Sequence, residues 1–366
     1  MKRIITTLGA FFFLNLLFAQ NHSVVKEPDV FPAQPRREIR MPQLEGYEII
    51  KGDFHLHTVF SDGSVWPVVR VQEAWRDGLD AIAISDHIEY RPKKAYLEGS
   101  LNQVHDIALP EAQKHGIILV KAAEITRIMP PGHLNALFVK DIDALDQEHY
   151  RDALQAALDQ GAFIFWNHPG WQAQQPDTCL WWDEHEELLR QGLIHGIEVY
   201  NFDEWYPLAF DWAREKGLAF MANSDIHEPV PYMPGYSDYF RPMTLVIARE
   251  KTEEAMKEAL LDRQTVAFFA GKLAGPQVWL ERMFHAAISI GKPFNIKADG
   301  SASLTLTNLT DIPIVLQNEA GRPFRLEPLS AMVLPIPKVS QNEALPFLVT
   351  NFFTGMDQPL RVQIKW

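Results

Sequence analysis

The strongest constraint on the fold is a rhythm that runs from about residue 47 to residue 272. Short apolar runs of strand length alternate there with amphipathic stretches such as Val68–Asp77, Arg151–Gln160 and Thr252–Arg263. The strand-like runs are Glu48–Phe54, Ala81–Ser85, Ile117–Ala122, Leu134–Val139, Ala162–Trp166, Gly196–Tyr200, Leu218–Ala222 and Thr244–Ala248. Strand–helix alternation predicts parallel strands with crossover helices, hence an α/β fold that is either a closed barrel or an open sheet. The polar residues choose between the two. Ser85-Asp86-His87, Glu124, Asn167-His168-Pro169 and Asn223-Ser224-Asp225-Ile226-His227 all follow such runs. In a (β/α) barrel the C-terminal ends of the strands meet on one face, whereas an open sheet spreads them along a crevice. A cluster this large favours the barrel.

The richest of these strand ends is the segment Gly52 to Gly63, which carries His55-x-His57 and then Ser61-Asp62-Gly63. Alternation along an extended strand places His55 and His57 on the same side. Two imidazoles so placed can share one divalent metal, and Asp62 offers an oxygen ligand to that site or a neighbour. A lone His-x-His pair in a half-buried strand is just as well explained by packing. The recurrence of matching fragments after later runs argues for a metal.

Composition removes several classes. With 47% hydrophobic and 22% charged residues, 366 residues make an ordinary globular chain, long enough for two domains. A formal charge of -13 opposes a surface built for polynucleotide phosphates, so no nucleic-acid polymer is expected as partner. The single cysteine, Cys179, excludes an internal disulfide and any cysteine-based zinc site. At the N-terminus, Lys2 and Arg3 precede an apolar run that ends in Ala19-Gln20, the pattern of a signal peptide over residues 1–19. Export is expected, to a periplasm rather than the medium, with no membrane span after cleavage. Residues 20–46, with four prolines, read as an extended lead-in. Residues 286–366 show alternating runs and no histidine, and read as a small C-terminal all-β sandwich without chemistry of its own.

Taken in order, His55-x-His57, Ser61-Asp62-Gly63, Ser85-Asp86-His87, Glu124, His133, His168-Pro169 and Asp225-x-His227 resemble the motifs of the PHP (polymerase and histidinol phosphatase) superfamily. The resemblance covers residues 47–272. It extends more softly to exported bacterial PHP phosphodiesterases, through the β tail and the segment Asp86 to Pro92. It implies a distorted (β/α)7 barrel and three divalent ions (manganese, zinc or iron). By the same resemblance His55, His57, Glu124 and Asp225 hold one metal, and Glu124, His133 and His168 a second. Asp62, His87 and His227 hold the third. The implied chemistry is hydrolysis of small phosphate esters, diesters before monoesters, by a hydroxide bridging the two metals that share Glu124. Asp225 and Glu124 are then catalytic through the metals, and Asp86 is either a general acid or a residue orienting His87.

For the substrate shell the expectation rests on position alone. Arg127 is the candidate phosphate clamp, followed by Arg91; Trp171, Tyr200 and Asn201 are candidate contacts with the ester group. Trp181 and Trp182 read as packing, as do the histidines outside the motifs, His185 among them, unless they lie on the surface. Three alternatives stay open: a periplasmic phosphomonoesterase, a catalytically degenerate metal-binding module, and a carbohydrate-binding protein that uses the β tail. The sequence leaves the oligomeric state open.

Overall fold

A computed structural model describes residues 35–337 and 344–366; the leader and the first part of the lead-in lie outside the described residues. The chain runs β1 (Glu48–Leu56), α1 (Pro67–Arg76), β2 (Ala81–Ile84), α2 (Gln103–His115), β3 (Ile118–Ile125), β4 (Leu134–Leu137), α3 (Tyr150–Asp159) and β5 (Phe163–Trp166). It continues through α4 (Asp183–Arg190), β6 (Gly196–Asn201), β7 (Glu204–Trp205), α5 (Pro207–Lys216), β8 (Ala219–Asn223), β9 (Met243–Ala248), α6 (Glu253–Leu261), β10 (Thr265–Phe269) and β11 (Lys272–Ala274). These elements form the expected distorted (β/α) barrel. Its strands are buried along almost their whole length, as strands covered on both faces must be. Among the described residues no helix is long and apolar enough to cross a membrane.

The helices start and stop where local chemistry dictates. Pro67 opens α1 and Pro207 opens α5, each using a position whose N–H has no helical partner. Gly217 closes α5 in the left-handed conformation, with φ +66°. From the lead-in, Arg36 donates to the carbonyls of Trp75 and Leu79 at the end of α1, and Ile39 and Leu44 are buried.

Two expectations change. The strands are not all parallel: β1–β2, β2–β3, β5–β6 and β6–β8 are, but β3–β4–β5 is an antiparallel meander and β9 lies antiparallel to β1. For β4 the reason is length. Between β3 and β4 lie only residues 126–133, with Pro130-Pro131-Gly132, too short and too rigid for a crossover helix.

The β tail is also not separate. After α7 (Gln277–Ala287) come β12 (Ile288–Ile290), β13 (Ala302–Asn308), β14 (Ile314–Asn318), β15 (Pro323–Leu326), β16 (Ala331–Ile336), β17 (Ala344–Gly355) and β18 (Gln358–Lys365). They make the two layers of a sandwich, β12-β13-β16 against β15-β14-β17-β18. In addition β17 pairs in parallel with β11, so one layer continues the barrel's own sheet. Leu245, Val266 and Leu273 of the barrel share a single buried core with Leu304, Ile314, Val349 and Leu360 of the tail.

A shared sheet and a shared core predict shared stability. Thermal unfolding followed by far- and near-ultraviolet circular dichroism is expected to show one coincident transition. Deleting residues 286–366 is expected to remove the soluble fold altogether, whereas an independently melting tail would contradict this account.

Candidate metal centre

The candidate ligands are carried by strand ends on one face of the barrel. His55 lies in β1 and His57 just after it; Glu124 lies near the end of β3; His133 immediately precedes β4; His168 follows β5; Asp225 and His227 follow β8. His87 follows β2 and pairs with Glu124 through a short backbone bridge. Asp62 arrives on the turn after β1. That turn packs back so tightly that a Cβ on Gly63 would lie 2.7–2.8 Å from the backbone of His57 and Thr58. Only glycine fits there.

Glu124 is the centre of the constellation. Its Oε2 lies 3.3 Å from His55 Nε2, 3.3 Å from His57 Nε2 and 2.9 Å from His87 Nδ1. Its Oε1 lies 2.8 Å from His133 Nδ1 and 3.8 Å from His168 Nε2. Asp225 Oδ1 is 3.2 Å from His55 Nε2 and 3.0 Å from His57 Nε2. Asp62 Oδ1 is 3.2 Å from His227 Nε2 and 3.5 Å from His87 Nε2. All nine residues singled out in the sequence as ligands therefore meet in one place. They fall into overlapping groups whose donor atoms lie within 4.8 Å of each other: His55–His57–Asp225, His55–Glu124–His168, His87–Glu124–His133 and His57–Asp62–His87–His227. His57 thus also faces the Asp62 group.

Two features test whether these residues fit metal ions. First, the buried atoms His57 Nε2, Asp62 Oδ1 and His133 Nδ1 have no hydrogen-bond partner, although each is close to an atom of opposite character. Lone pairs that converge without being aligned for hydrogen bonds are what shared cations require. Second, Asp62, Glu124 and Asp225, with Glu198 beside them, concentrate negative charge where no Lys or Arg lines the cavity. Buried charge of one sign demands compensation. Against the opposing effect of burial, Asp225, Glu198 and Glu124 raise the His55 imidazole well above its ordinary value. Burial likewise opposes the shift at His87, but Glu124 and Asp62 hold it at about 10. Burial and the neighbouring His227 and His87 push His57 down to about 3, leaving a neutral ring with a free lone pair. The donor set fits divalent metals.

The backbone is distorted at two candidate ligands. His168 (φ +26°) and Asp225 (φ +48°) occupy the left-handed region that residues with a Cβ avoid. Such positions persist when surrounding structure over-determines them, and they concentrate at functional sites.

A supporting layer that the motifs did not announce holds the ligands. Glu198, fully buried in β6, accepts from His55 Nδ1 (3.0 Å) and Asn223 Nδ2 (2.9 Å) on one oxygen. On the other it accepts from the His168 N–H (2.7 Å) and Asn201 Nδ2 (2.8 Å). Fixing His55 through its second ring nitrogen sets its tautomer and aims Nε2 inward. Asn167 Nδ2 donates to Glu124 Oε1 (2.9 Å) and to Asn135 Oδ1 (3.0 Å), while Thr126 Oγ1 lies 2.7 Å from His87 Nδ1. The signal for Glu198 was present: one carboxylate inside the apolar run Gly196–Tyr200. Asn167, Asn201 and Asn223 stand at strand ends already marked in the sequence, and nothing local distinguished Asn135 or Thr126.

The substrate-shell expectations divide. A cavity of about 630 Å³ opens over the ligands, and Trp171 and Asn201 line it with Tyr90, Phe202, Asp203, Glu228 and Tyr232. Arg127 does not line it. Its guanidinium is paired with Glu89 at 2.8 Å and donates to the Gln147 carbonyl at 2.9 Å, because a nearer carboxylate competes for it. Arg91 reaches Asp146 instead (3.6 Å). Tyr200 stacks on Phe269 with ring centroids 4.3 Å apart, on the side away from the cavity. Asp86 is also reassigned. It accepts from the Thr58 N–H (2.7 Å), Thr58 Oγ1 (2.5 Å) and Ser61 Oγ (2.6 Å), so it secures the Asp62 turn rather than orienting His87 or reaching substrate.

Trp181 and His185 pack with Trp166 and Trp212, as expected of packing residues. His185 is fully buried and donates from Nε2 to the Pro131 carbonyl (2.7 Å), bracing the loop that ends at His133.

A scan against protein-family models finds no match. Among solved structures, the chain superposes with a TM-score of 0.87 on a two-domain protein of Bacteroides vulgatus described as containing a predicted PHP-like metal-dependent phosphoesterase. Identity is 41%, over 92% of this chain and 100% of that one. The chain belongs to the PHP superfamily. An uncharacterized protein of Methanocaldococcus jannaschii is 39% identical over 191 residues, which span 48% of this PHP chain and 81% of the relative.

Two outcomes test this layer. Glu198→Gln keeps the shape but withdraws a charged acceptor from His55, and metal affinity measured by calorimetry is expected to fall by about 10–100-fold. The second concerns His185, which burial pushes down to about 4 from an ordinary value near 6.5. The unfolded chain takes up a proton in that window and the folded chain refuses it. Stability is therefore complete above the upper value and lost as pH falls toward the lower one, by about 3 kcal/mol in all. In His185→Gln, the drop in denaturant midpoint between about pH 7 and about pH 4.5 is expected to be smaller than in the wild type.

Proposed function

We propose that this PHP protein hydrolyses phosphate esters with three divalent metals, and that small phosphodiesters are its preferred substrates. The observation that carries the reading is the convergence on Glu124 of buried, unpartnered donor atoms in a cavity without Lys or Arg. The name given to the Bacteroides vulgatus relative, a predicted metal-dependent phosphoesterase, agrees with it. When bound, the metals supply an activated water nucleophile and neutralise charge on the phosphoryl oxygens.

The chain's own residues do the rest. Glu124 joins two of the candidate groups, and Asn167 fixes its orientation. Asn201 Nδ2 donates to Glu198 and lies 3.3 Å from Asp225 Oδ2, which holds the Asp225 carboxylate toward His55 and His57. Trp171, half-exposed, and the exposed Tyr90 and Tyr232 offer apolar surface to an ester substituent.

Charge favours the diester. A monoester dianion brings additional negative charge into a cavity already edged by Asp62, Asp203, Glu204 and Glu228. A diester carries one charge, and a cavity of about 630 Å³ has room for a substituent on each side of phosphorus. The signal-peptide pattern of residues 1–19, which lie outside the described residues, supports a reading in which this activity is exported.

With manganese, zinc or iron supplied in turn, an aryl phosphodiester is expected to turn over faster than the matching monoester. Asp225→Ala is expected to lower kcat by at least about 100-fold. Faster monoester turnover would replace the diester reading with a phosphatase, and metal binding without turnover of either would leave a binding module.

A further inference from the structure

Arg70 belongs to none of the motifs, yet its side chain, fully buried in α1, reaches further into the site's backbone than any other. Nε donates to the His57 carbonyl at 2.8 Å. Nη2 donates to the carbonyls of Ile226 (2.9 Å) and His227 (2.8 Å). Nη1 donates to the Glu228 carbonyl (2.9 Å) and to Glu73 Oε2 (2.8 Å). A guanidinium has five N–H donors, and here each has its acceptor. The remaining oxygen of Glu73 accepts from the Val230 N–H (2.8 Å), so the pair grips the segment from Ile226 to Val230 at both ends.

We infer that Arg70 is a positioning residue for the His57–Asp62–His87–His227 metal subsite, setting the distance between the first and last ligand segments. The inference rests on the metal-dependent reading of the site. Four of the five acceptors are main-chain carbonyls, and they belong to the two segments that carry His57 and His227. The rings of these residues stack 4.2 Å apart at 21°. The segments also touch directly, through the His57 N–H to the Ile226 carbonyl (3.2 Å) and the Ser64 N–H to the His227 carbonyl (2.8 Å). No strand ladder joins β1 to β8, so these bonds and the arginine act with the side-chain bridges of Asn223 to Phe54 and Asp53 to Ser224 to fix the spacing. By contrast, His133 just before β4 and His168 just after β5 are tied together through Asn135 and Asn167, with no bond to Arg70.

Lysine cannot replace this contact. Its ammonium keeps a charge for Glu73 but has three donors on a flexible stem, without the planar fork that spans two chain segments. Arg70→Lys is therefore expected to weaken one metal selectively.

The test uses the full chain, stripped by chelator and titrated with manganese by calorimetry, with bound metal counted by mass spectrometry. The wild type is expected to bind three ions. Arg70→Lys is expected to bind one of them about 10–100-fold more weakly. It should add little loss on top of Asp62→Ala, which removes a ligand of the same subsite, and should add its full loss on top of His133→Ala. Glu73→Gln, which breaks the ion pair but keeps an acceptor for the Val230 N–H, is expected to weaken the same ion by less than Arg70→Lys does. Asn351→Ala, which removes two hydrogen bonds to main-chain carbonyls, Gly271 of the barrel and Pro313 of the tail, serves as the stability control.

If Arg70→Lys fails to fold, the pair Arg70→Gln with Glu73→Leu removes both buried charges together and carries the same expectation. Equal weakening of all sites, or of none, overturns the positioning role. A wild type that binds no metal overturns the underlying reading instead, and the two failures are told apart by the wild-type titration.

Discussion

A buried carboxylate with no Lys or Arg of the described residues in ion-pair reach is the constraint from which the site's architecture follows. Glu124 is fully buried and its charge is met by imidazoles and the Asn167 amide. Leaving such a charge unmatched costs several kcal/mol. Every neighbouring element contributes to offsetting that cost, with His55 and His57 from β1, His87 after β2, His133 before β4 and His168 after β5. The next layer is amide and carboxylate rather than cation: Asn135, Asn167, Asn201, Asn223 and Glu198. It orients the ligands without neutralising the centre. A site built this way keeps its demand for positive charge, and divalent metals meet it.

The same economy appears where the barrel closes. Between β8 and the strands β1, β9 and β10 the connections are side chain to backbone. Asn223 Oδ1 accepts from the Phe54 N–H (2.9 Å), Thr244 Oγ1 from Ala222, and Thr265 Oγ1 from Phe220. Arg241, also buried, links Asp53 of β1 (2.6 Å) to Ser224 Oγ (3.0 Å). A backbone ladder fixes register at every residue, whereas side-chain bridges allow the two strands to be offset so that His55 and His57 meet Asp225. The left-handed φ of Asp225 lies at the end of this seam, where β8 leaves the sheet.

Much of this was legible in the sequence, for physical reasons that can be named. Strand runs such as Ala81–Ser85 and Ala162–Trp166 announced themselves because strands buried on both faces must be apolar throughout. The ligands were legible because imidazoles and carboxylates directly after such runs have few structural uses. What could not be read depended on partners distant in sequence. Arg127 looked like a phosphate clamp three residues from Glu124, but Glu89, thirty-eight residues earlier, holds it. Arg70 sat unremarked in an amphipathic helix, since three of the four carbonyls it reaches lie more than 150 residues away. The antiparallel turn of β4 followed from a short proline-containing loop, a local signal that the dominant strand–helix rhythm masked.

The β tail looked like an appendage because it carries no histidine, but its placement gives it a structural bearing on the site. Without β17, the edge of β11 would present unpaired backbone groups, the liability that exposed sheet edges carry. The contact reaches further than the edge. Phe353 of β17 packs on Trp205 of β7, ring centroids 6.2 Å apart, and Trp205 stacks on Phe269 at 4.9 Å. Phe269 in turn stacks on Tyr200, next to Asn201. The hairpin β6–β7 therefore rests on an aromatic column whose base is the tail, while its turn, Phe202 to Glu204, forms one wall of the cavity. A domain with no chemistry of its own thereby supports the wall against which a substrate must lie.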